Sequence, residues 1–134
     1  MGKIEIIVLL LVCIGLFTAC AKKSEVEEEE MTYKVITMAD AKTLFEVEDD
    51  YIILDVRRPD EFESGHIPRA INVPNEIIGT ADIPELPDKN QLIYVYCRSG
   101  RRSKEASNKL VQMGYSNIIE FGGILDWKGK IEVN

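Results

Sequence analysis

The sequence predicts an α/β fold built on a largely parallel sheet. Short apolar segments suited to strands alternate along the chain with segments that have a helical pattern, and this order is typical of α/β proteins. Residues 92–96, Leu-Ile-Tyr-Val-Tyr, are apolar without interruption, which is the pattern of a central strand covered on both faces. The 134 residues are enough for one such domain and too few for two.

The first elements follow from local patterns. Residues 33–36 suit a short first strand. Thr37, followed three residues later by Asp40, resembles a capping box, so we expect a helix to begin there. Residues 51–56 are apolar except for Asp55 and predict a strand that is buried on both faces.

The remaining elements are predicted at short intervals. Pro59 suits the first position of a helical turn, and Ala106, Leu110 and Met113 share one face of a longer helix. In chain order we expect a helical turn at 59–63, a strand at 70–73, mostly irregular chain at 75–90, the strand at 92–96, a helix at 103–113, a strand at 118–121, and a short helix ending near Trp127.

The N-terminal segment predicts export and lipid attachment. Residues 6–21 carry no charge, but the apolar run is shorter than the about 20 residues that a spanning helix needs, and it fits a secretory signal better. Residues 16–20, Leu-Phe-Thr-Ala-Cys, resemble a bacterial lipobox, in which cleavage precedes a cysteine that carries a diacylglycerol. We therefore expect a signal peptide at 1–19 and a lipidated Cys20 that anchors an extracytoplasmic domain to the cell membrane. An uncleaved anchor and an ordinary signal peptide are the alternatives.

We interpret residues 20–32 as an extended acidic linker that leads into a domain at 33–134. The linker holds five glutamates, whose mutual repulsion favours an extended, solvated chain. The whole chain carries a net charge of −7, and loss of residues 1–19 removes one lysine and one glutamate, which leaves this charge unchanged. An acidic chain has no electrostatic basis for binding nucleic acid.

Cys97 is the residue best suited to chemistry. Because Cys13 leaves with the signal peptide and Cys20 carries lipid, Cys97 is the one thiol expected in the mature chain. It follows a buried strand and precedes a predicted helix, whose N-terminal N–H groups favour an anion. Three arginines lie within the next five residues: Arg98, Arg101 and Arg102. These features favour the nucleophilic thiolate, whereas a small buried core cysteine is the alternative.

Three stretches of the sequence resemble signatures of the rhodanese family. Residues 54–74, which include Asp-Val-Arg-Arg-Pro-Asp-Glu-Phe and Gly-His-Ile-Pro, are similar to the first signature. Residues 97–103 fit the pattern Cys-x-x-Gly-x-Arg-Ser of the family's active-site loop, and residues 114–127 resemble its C-terminal signature. They follow the family's order and spacing. Arg69 departs from the small residue that is usual at its position.

The resemblance implies a rhodanese-like three-layer fold, with a central five-stranded, mostly parallel sheet and helices on both faces. It also implies a sulfurtransferase, in which a cysteine takes the outer sulfur of thiosulfate or a persulfide donor and passes it to cyanide or a thiol. On this sequence Cys97 is the nucleophile. The predicted binding residues for the small anionic donor are Arg98, Ser99, Gly100, Arg101 and Arg102. The implied acceptor is a thiol or a redox protein, with no cofactor and no metal.

The first signature supplies residues for which a supporting role is expected. Arg57 and Glu61 lie four residues apart at a helix start, so we expect them to pair. Asp55 ends a strand and is placed to orient the active-site loop. His66, the single histidine, is expected to hold a turn rather than act as a base, and Trp127 to cover the core.

Two other functions are compatible with a cysteine loop of this kind. Phosphatases and arsenate reductases use a similar loop with five residues between cysteine and arginine, whereas Cys97 and Arg102 are separated by four. The shorter loop favours sulfur over phosphate. A persulfide carrier that docks a redox partner, without turning over a small molecule, is the second alternative.

Overall fold

The computed structural model describes residues 32–134, which form one sheet with helices on both faces. The five strands are β1 (Lys34–Val35), β2 (Tyr51–Asp55), β3 (Ile71–Asn72), β4 (Leu92–Cys97) and β5 (Ile118–Gly123). The helices are α1 (Met38–Phe45), α2 (Pro59–Ser64) and α3 (Arg101–Gln112), with 3-10 turns at Asn75–Ile77 and Ile124–Asp126. The predicted signal peptide, Cys20 and nearly all of the linker lie outside the described residues. Within residues 32–134, no helix is both long enough and apolar enough to cross a bilayer.

Every pair of neighbouring strands in the sheet is parallel. The strand order is β1-β5-β4-β2-β3, which places β4 at the centre, as its continuous apolar sequence predicts. In a parallel sheet all strands end at the same edge, and ligands bind beyond that edge. Cys97 is the last residue of β4 and therefore lies there.

The helix starts show how local sequence sets the boundaries. Thr37 caps α1, because its Oγ1 accepts a hydrogen bond of 3.1 Å from the backbone N–H of Asp40. This confirms the predicted start of the first helix. The third helix begins at Arg101, two residues before the predicted start, because Gly100 adopts a left-handed conformation (φ 104°) and turns the chain directly from β4 into α3.

Side chains of β4 alternate between two hydrophobic cores, one on each face of the sheet. Ile93, Val95 and Cys97 face the core on the side of α3, which also contains Leu110 from that helix. The residues between them face the other core, which α1 covers: Tyr94 and Tyr96 pack there with Met38, Ala41 and Phe121. The thiol of Cys97 is therefore directed to the α3 side of the sheet.

An irregularity in the pairing of β4 and β5 adjoins Cys97. Val95 pairs with Glu120, but Cys97 pairs with Gly123, so β5 holds one extra residue between these positions. Gly122, with a φ of 98°, supplies the backbone conformation for this bulge. The bulge carries β5 past its predicted end at 121 and sets its last residues against the loop that follows Cys97.

Candidate active site

The Cys97 sulfur lies at the start of a tight loop that joins β4 to α3. The residue is 1% exposed, and its Sγ accepts a hydrogen bond of 3.0 Å from the backbone N–H of Gly100. The left-handed conformation of Gly100 directs this N–H back toward the sulfur. Because α3 begins at the next residue, its N-terminal dipole also acts on the sulfur. Both features stabilise negative charge on Sγ.

The loop residues differ in what they offer to an incoming donor. Arg98, Ser99 and Arg101 are exposed, whereas Gly100 is buried. The side chain of Arg101 is 79% exposed and lies 3.7 Å from the Glu105 carboxylate, a solvated pair that leaves its charge available. The arginines Arg98 and Arg101 are thus open to an incoming donor, whereas the Gly100 amide is the backbone group that contacts the sulfur.

Arg102 is the loop arginine with a fixed position. Its guanidinium forms two hydrogen bonds with Glu61, Nη1 to Oε2 at 2.7 Å and Nη2 to Oε1 at 3.0 Å. Both side chains are only 18% exposed. These bonds lower the pKa of Glu61 to about 2, and they raise the pKa of Arg102, to which the charge of the nearby Cys97 adds. Glu61 thus ties α2 to the first turn of α3 beside the loop.

The predicted pair between Arg57 and Glu61 is wrong. Arg57 precedes α2 and pairs with Asp55 instead, with its Nη2 2.7 Å from Asp55 Oδ2 and its Nε 3.0 Å from both carboxylate oxygens. Its Nη2 also donates to the carbonyl of Gly65 at 2.7 Å. The Asp55 carboxylate also accepts from the Arg57 backbone N–H at 2.9 Å. The pair fixes the chain around α2, and the role of Asp55 in orienting the active-site loop stays a prediction.

His66 anchors the C-terminal segment. Its backbone exchanges two hydrogen bonds of 2.9 Å with Glu132, and its ring stacks on Phe62 at a centroid distance of 3.9 Å. The ring Nδ1 lies 3.0 Å from the Phe62 carbonyl oxygen. These contacts agree with a turn-holding role. Trp127 is partly buried against the core that α1 covers, and its Nε1 donates to the Lys130 carbonyl.

Two buried residues behind Cys97 were not among the predicted site residues, although Ser103 ends the loop pattern at residues 97–103. Ser103 Oγ lies 3.4 Å from Cys97 Sγ and donates a short hydrogen bond to Glu120 Oε1. Ser103 is fully buried and Glu120 is 1% exposed. The signal for Glu120 was present, because it is the one acid within the apolar residues 118–121.

Comparison with known proteins identifies the family. The family model of the Rhodanese-like domain matches residues 37–130. This chain belongs to the rhodanese-like domain family. Among its relatives, the thiosulfate sulfurtransferase PspE of Escherichia coli is 37% identical over 73 residues, which are 54% of this chain and 70% of the relative. A sulfurtransferase of Allochromatium vinosum is 38% identical over 80 residues, 59% of this chain and 73% of the relative.

Solved structures confirm the predicted rhodanese fold. One described as a rhodanese with anions from E. coli superposes with a TM-score of 0.58 and 32% sequence identity. The match covers 63% of this chain and 99% of that structure. The five-stranded parallel sheet with helices on both faces is therefore the rhodanese-like arrangement, and its relatives place the chain among rhodanese-like sulfurtransferases.

The structure of this rhodanese domain shows how Arg69, unusual at its position, is accommodated. Arg69 has a φ of 70°, a conformation that favours glycine. Its guanidinium lies 4.9 Å from the ring centroid of Tyr51 and donates to the Tyr51 hydroxyl at 3.0 Å. The cation–π contact and the hydrogen bond offset the strained backbone.

The Glu61–Arg102 pair predicts a pH dependence of stability in the rhodanese domain. Glu61 has an ordinary pKa of 4.5 and a folded pKa of about 2, so the pair contributes most above pH 4.5 and loses its contribution as the pH falls through about 2. We expect the difference in unfolding free energy between the wild type and Glu61→Gln to shrink over this interval. Urea unfolding at several pH values measures it, with the exposed Glu63→Gln on the same helix as the control. A difference that is constant from pH 4.5 to 2 contradicts this reading of the pair.

Proposed function

We propose that the chain is a thiosulfate sulfurtransferase that carries sulfur as a persulfide on Cys97. The observation that supports this most directly is the Cys97 sulfur held by the Gly100 amide at 3.0 Å inside a loop of the rhodanese pattern. The relative from E. coli, described as a thiosulfate sulfurtransferase, supports the donor class. The small, closed loop suits a sulfur atom added to Cys97.

In the first proposed step, the Cys97 thiolate attacks the outer sulfur of thiosulfate. A new S–S bond forms at Sγ, the S–S bond of thiosulfate breaks, and its electron pair leaves with sulfite. The transferred sulfur retains a negative charge as the terminal atom of the persulfide. The N-terminus of α3 and the amides of the loop are placed to stabilise that charge.

In the second proposed step, an acceptor nucleophile takes the terminal sulfur. A cyanide ion or a thiolate attacks it, the persulfide S–S bond breaks, and Cys97 returns as a thiolate. The acceptor in the cell is then a small thiol or a redox protein that presents one. Neither step requires a cofactor or a metal ion.

Positive charge around the loop supports binding of an anionic donor. Arg98 and Arg101 are exposed beside the buried sulfur, and Arg102 lies close enough to Cys97 for the two to interact electrostatically. Cations at the rim of a site raise the local concentration of an anion. We propose that Arg98, Ser99, Gly100, Arg101 and Arg102 bind the donor, with the arginines attracting it and the backbone holding the transferred sulfur.

The deciding experiment is mass spectrometry of the full chain after exposure to thiosulfate. We expect the peptide that contains Cys97 to gain the mass of one sulfur atom, to lose it on treatment with cyanide, and to show no gain in the Cys97→Ser variant. Hydrolysis of an aryl phosphate that Cys97→Ser abolishes would instead identify a phosphatase. Loading of Cys97 by a persulfide protein but not by thiosulfate would identify a carrier.

We propose further that the domain lies outside the bacterial cytoplasm and is anchored to the cell membrane by a lipid on Cys20. The support is the lipobox-like sequence of residues 16–20 after an apolar segment, followed by an acidic linker. The same mass measurement tests this proposal on chain extracted from a bacterial host. A first residue other than Cys20, or a Cys20 without lipid mass, contradicts it.

A further inference from the structure

A buried carboxylate lies two hydrogen bonds from the proposed nucleophile. Cys97 Sγ is directed at Ser103 Oγ at 3.4 Å. Ser103 Oγ makes its shortest contact, as a donor, with Glu120 Oε1, and the Gly100 carbonyl is a second acceptor at 3.0 Å. Glu120 Oε1 also accepts the backbone N–H of Gly122 at 3.0 Å, which the bulge in β5 brings into place. All three residues are at most 1% exposed. A single serine hydroxyl therefore joins the thiol to the acid.

The two ends of this chain of contacts differ in their electrostatic surroundings. Within residues 32–134, Glu120 has no Lys or Arg within salt-bridge distance, although burial of an unpaired carboxylate is costly. Cys97, in contrast, receives the Gly100 N–H, the N-terminus of α3 and the nearby charge of Arg102. Each end therefore offers a place for one negative charge, with Ser103 between them.

The charged groups that face the network come from α3 and from the turn after β5. Arg102 faces Cys97 and is paired with Glu61 of α2. Lys104 and Asp126 line a cavity of about 420 Å³ together with Glu120. Where β1 leads into α1, the lining of this cavity is uncharged: Val35, Ile36, Thr37, Met38 and Ala39. The opposite charges of Lys104 and Asp126 offset each other in this cavity. Ser103 is therefore the direct link between Glu120 and Cys97.

We infer that Ser103 and Glu120 form an internal proton relay that keeps a fraction of Cys97 ionised, with Glu120 as a positioning residue for the proposed sulfur transfer. In this relay the S–H bond of Cys97 breaks as Ser103 Oγ takes the proton. The O–H bond of Ser103 breaks at the same time, and its proton forms a new O–H bond on Glu120 Oε1. The network keeps its total charge of one, and no proton has to leave the buried site.

The relay predicts a two-step pH profile for the reactivity of Cys97. Two groups that share one proton titrate as a pair, so the thiolate is already populated at acid pH, and it rises again when the remaining proton leaves at alkaline pH. The rate of carboxamidomethylation by iodoacetamide, followed on the Cys97 peptide of the full chain, reports this directly. We expect a plateau at acid and neutral pH followed by a second rise in the wild type.

Glu120→Gln and Ser103→Ala are expected to abolish the acid plateau and leave a single alkaline rise. The rate at pH 6 should fall by about tenfold or more, which corresponds to at least about one pH unit. Ser103→Thr, which keeps the hydroxyl, should restore the plateau. Asp126→Asn, a carboxylate in the same cavity, and Ser107→Ala, a buried serine on the same helix, are the matched controls and should keep both steps.

A purely structural role for Glu120 predicts a different pH profile of Cys97 alkylation. If Glu120 is only a structural anion, its charge opposes the thiolate, so the wild type shows a single rise and Glu120→Gln moves that rise to lower pH. That outcome overturns the relay, as does an acid plateau that survives in both Ser103→Ala and Glu120→Gln. If Glu120→Gln does not fold, as judged by circular dichroism, Ser103→Ala and Ser103→Thr decide alone.

The inference rests on the proposed function only for its role in sulfur transfer. At alkaline pH, where Cys97 ionises without help, thiosulfate should load one sulfur atom on Cys97 in the wild type and in Glu120→Gln alike. Failure of loading in both proteins rejects the sulfurtransferase proposal, while the alkylation profile still tests the relay. Loading in both with a single-step wild-type profile rejects the relay and keeps the sulfurtransferase.

Discussion

Replacement of Gly123 by alanine is expected to lower the rate of sulfur transfer by about 100-fold or more. A methyl carbon on Gly123 would lie 2.2 Å from the carbonyl oxygen of Arg98 and 2.6 Å from the Cα of Ser99. Both atoms belong to the backbone of the active-site loop, which cannot turn aside as a flexible side chain can. The loop must therefore move away from β5, and displacement by about 1 Å at a reacting centre is enough for a loss of this size.

The measurement is kcat/KM for thiosulfate and cyanide, together with the free energy of unfolding of the variant. Gly114→Ala is the control for an added methyl that meets no atom within 4 Å, although Gly114 has a positive φ (95°) and Gly123 an extended backbone (φ −123°). The control is expected to lose about 1–2 kcal/mol of stability from its backbone conformation and to keep its activity. A Gly123→Ala protein that is folded and as active as the wild type contradicts the requirement for close contact between Gly123 and the backbone of the active-site loop.

The close approach at Gly123 also explains why the end of β5 was misplaced from sequence. Two adjacent glycines suggest a turn, so the strand was expected to stop at residue 121. In the structure Gly123 pairs with Cys97 and Gly122 forms the bulge, so both extend the strand. Glycine serves here for close contact with another backbone, which local sequence does not distinguish from a turn.

The fold itself was predictable because its strongest signals are local. The apolar residues 92–96 and 51–56 identified the two central strands, and Thr37 identified the first helix. The Cys97 loop was predictable for a similar reason, since cysteine, glycine, arginine and serine lie in one short stretch whose spacing carries the family resemblance.

The contacts among the supporting residues were not predictable in the same way. Spacing of four residues suggested that Arg57 pairs with Glu61, but that rule holds only inside a helix, and Arg57 precedes the first residue of α2. Glu61 meets Arg102, which is 41 residues away, through packing of α2 beside α3. Glu120 was missed because a single acid in an apolar strand indicates a buried partner without identifying it.

The second large effect is expected at the buried pair of Asp55 and Arg57. Arg57→Met leaves the Asp55 carboxylate, which is fully buried, without its cation and removes the bond to the Gly65 carbonyl. Removal of one partner of a buried ion pair costs about 3–5 kcal/mol. Because a domain is stable by only about 5–15 kcal/mol, this loss is a large part of the total.

Denaturant unfolding of Arg57→Met measures the loss, and two variants define its origin. Arg58→Met breaks the neighbouring pair between Arg58 and Asp60, whose side chains are 62% and 69% exposed, and should cost much less stability than Arg57→Met because solvent screens exposed charges. The double variant Asp55→Asn/Arg57→Met should regain part of the loss, because no uncompensated charge remains in the interior. If Arg57→Met costs no more than Arg58→Met, or if the double variant is less stable than Arg57→Met, the penalty does not come from a stranded carboxylate. The Asp55–Arg57 pair then stabilises the domain through packing rather than charge.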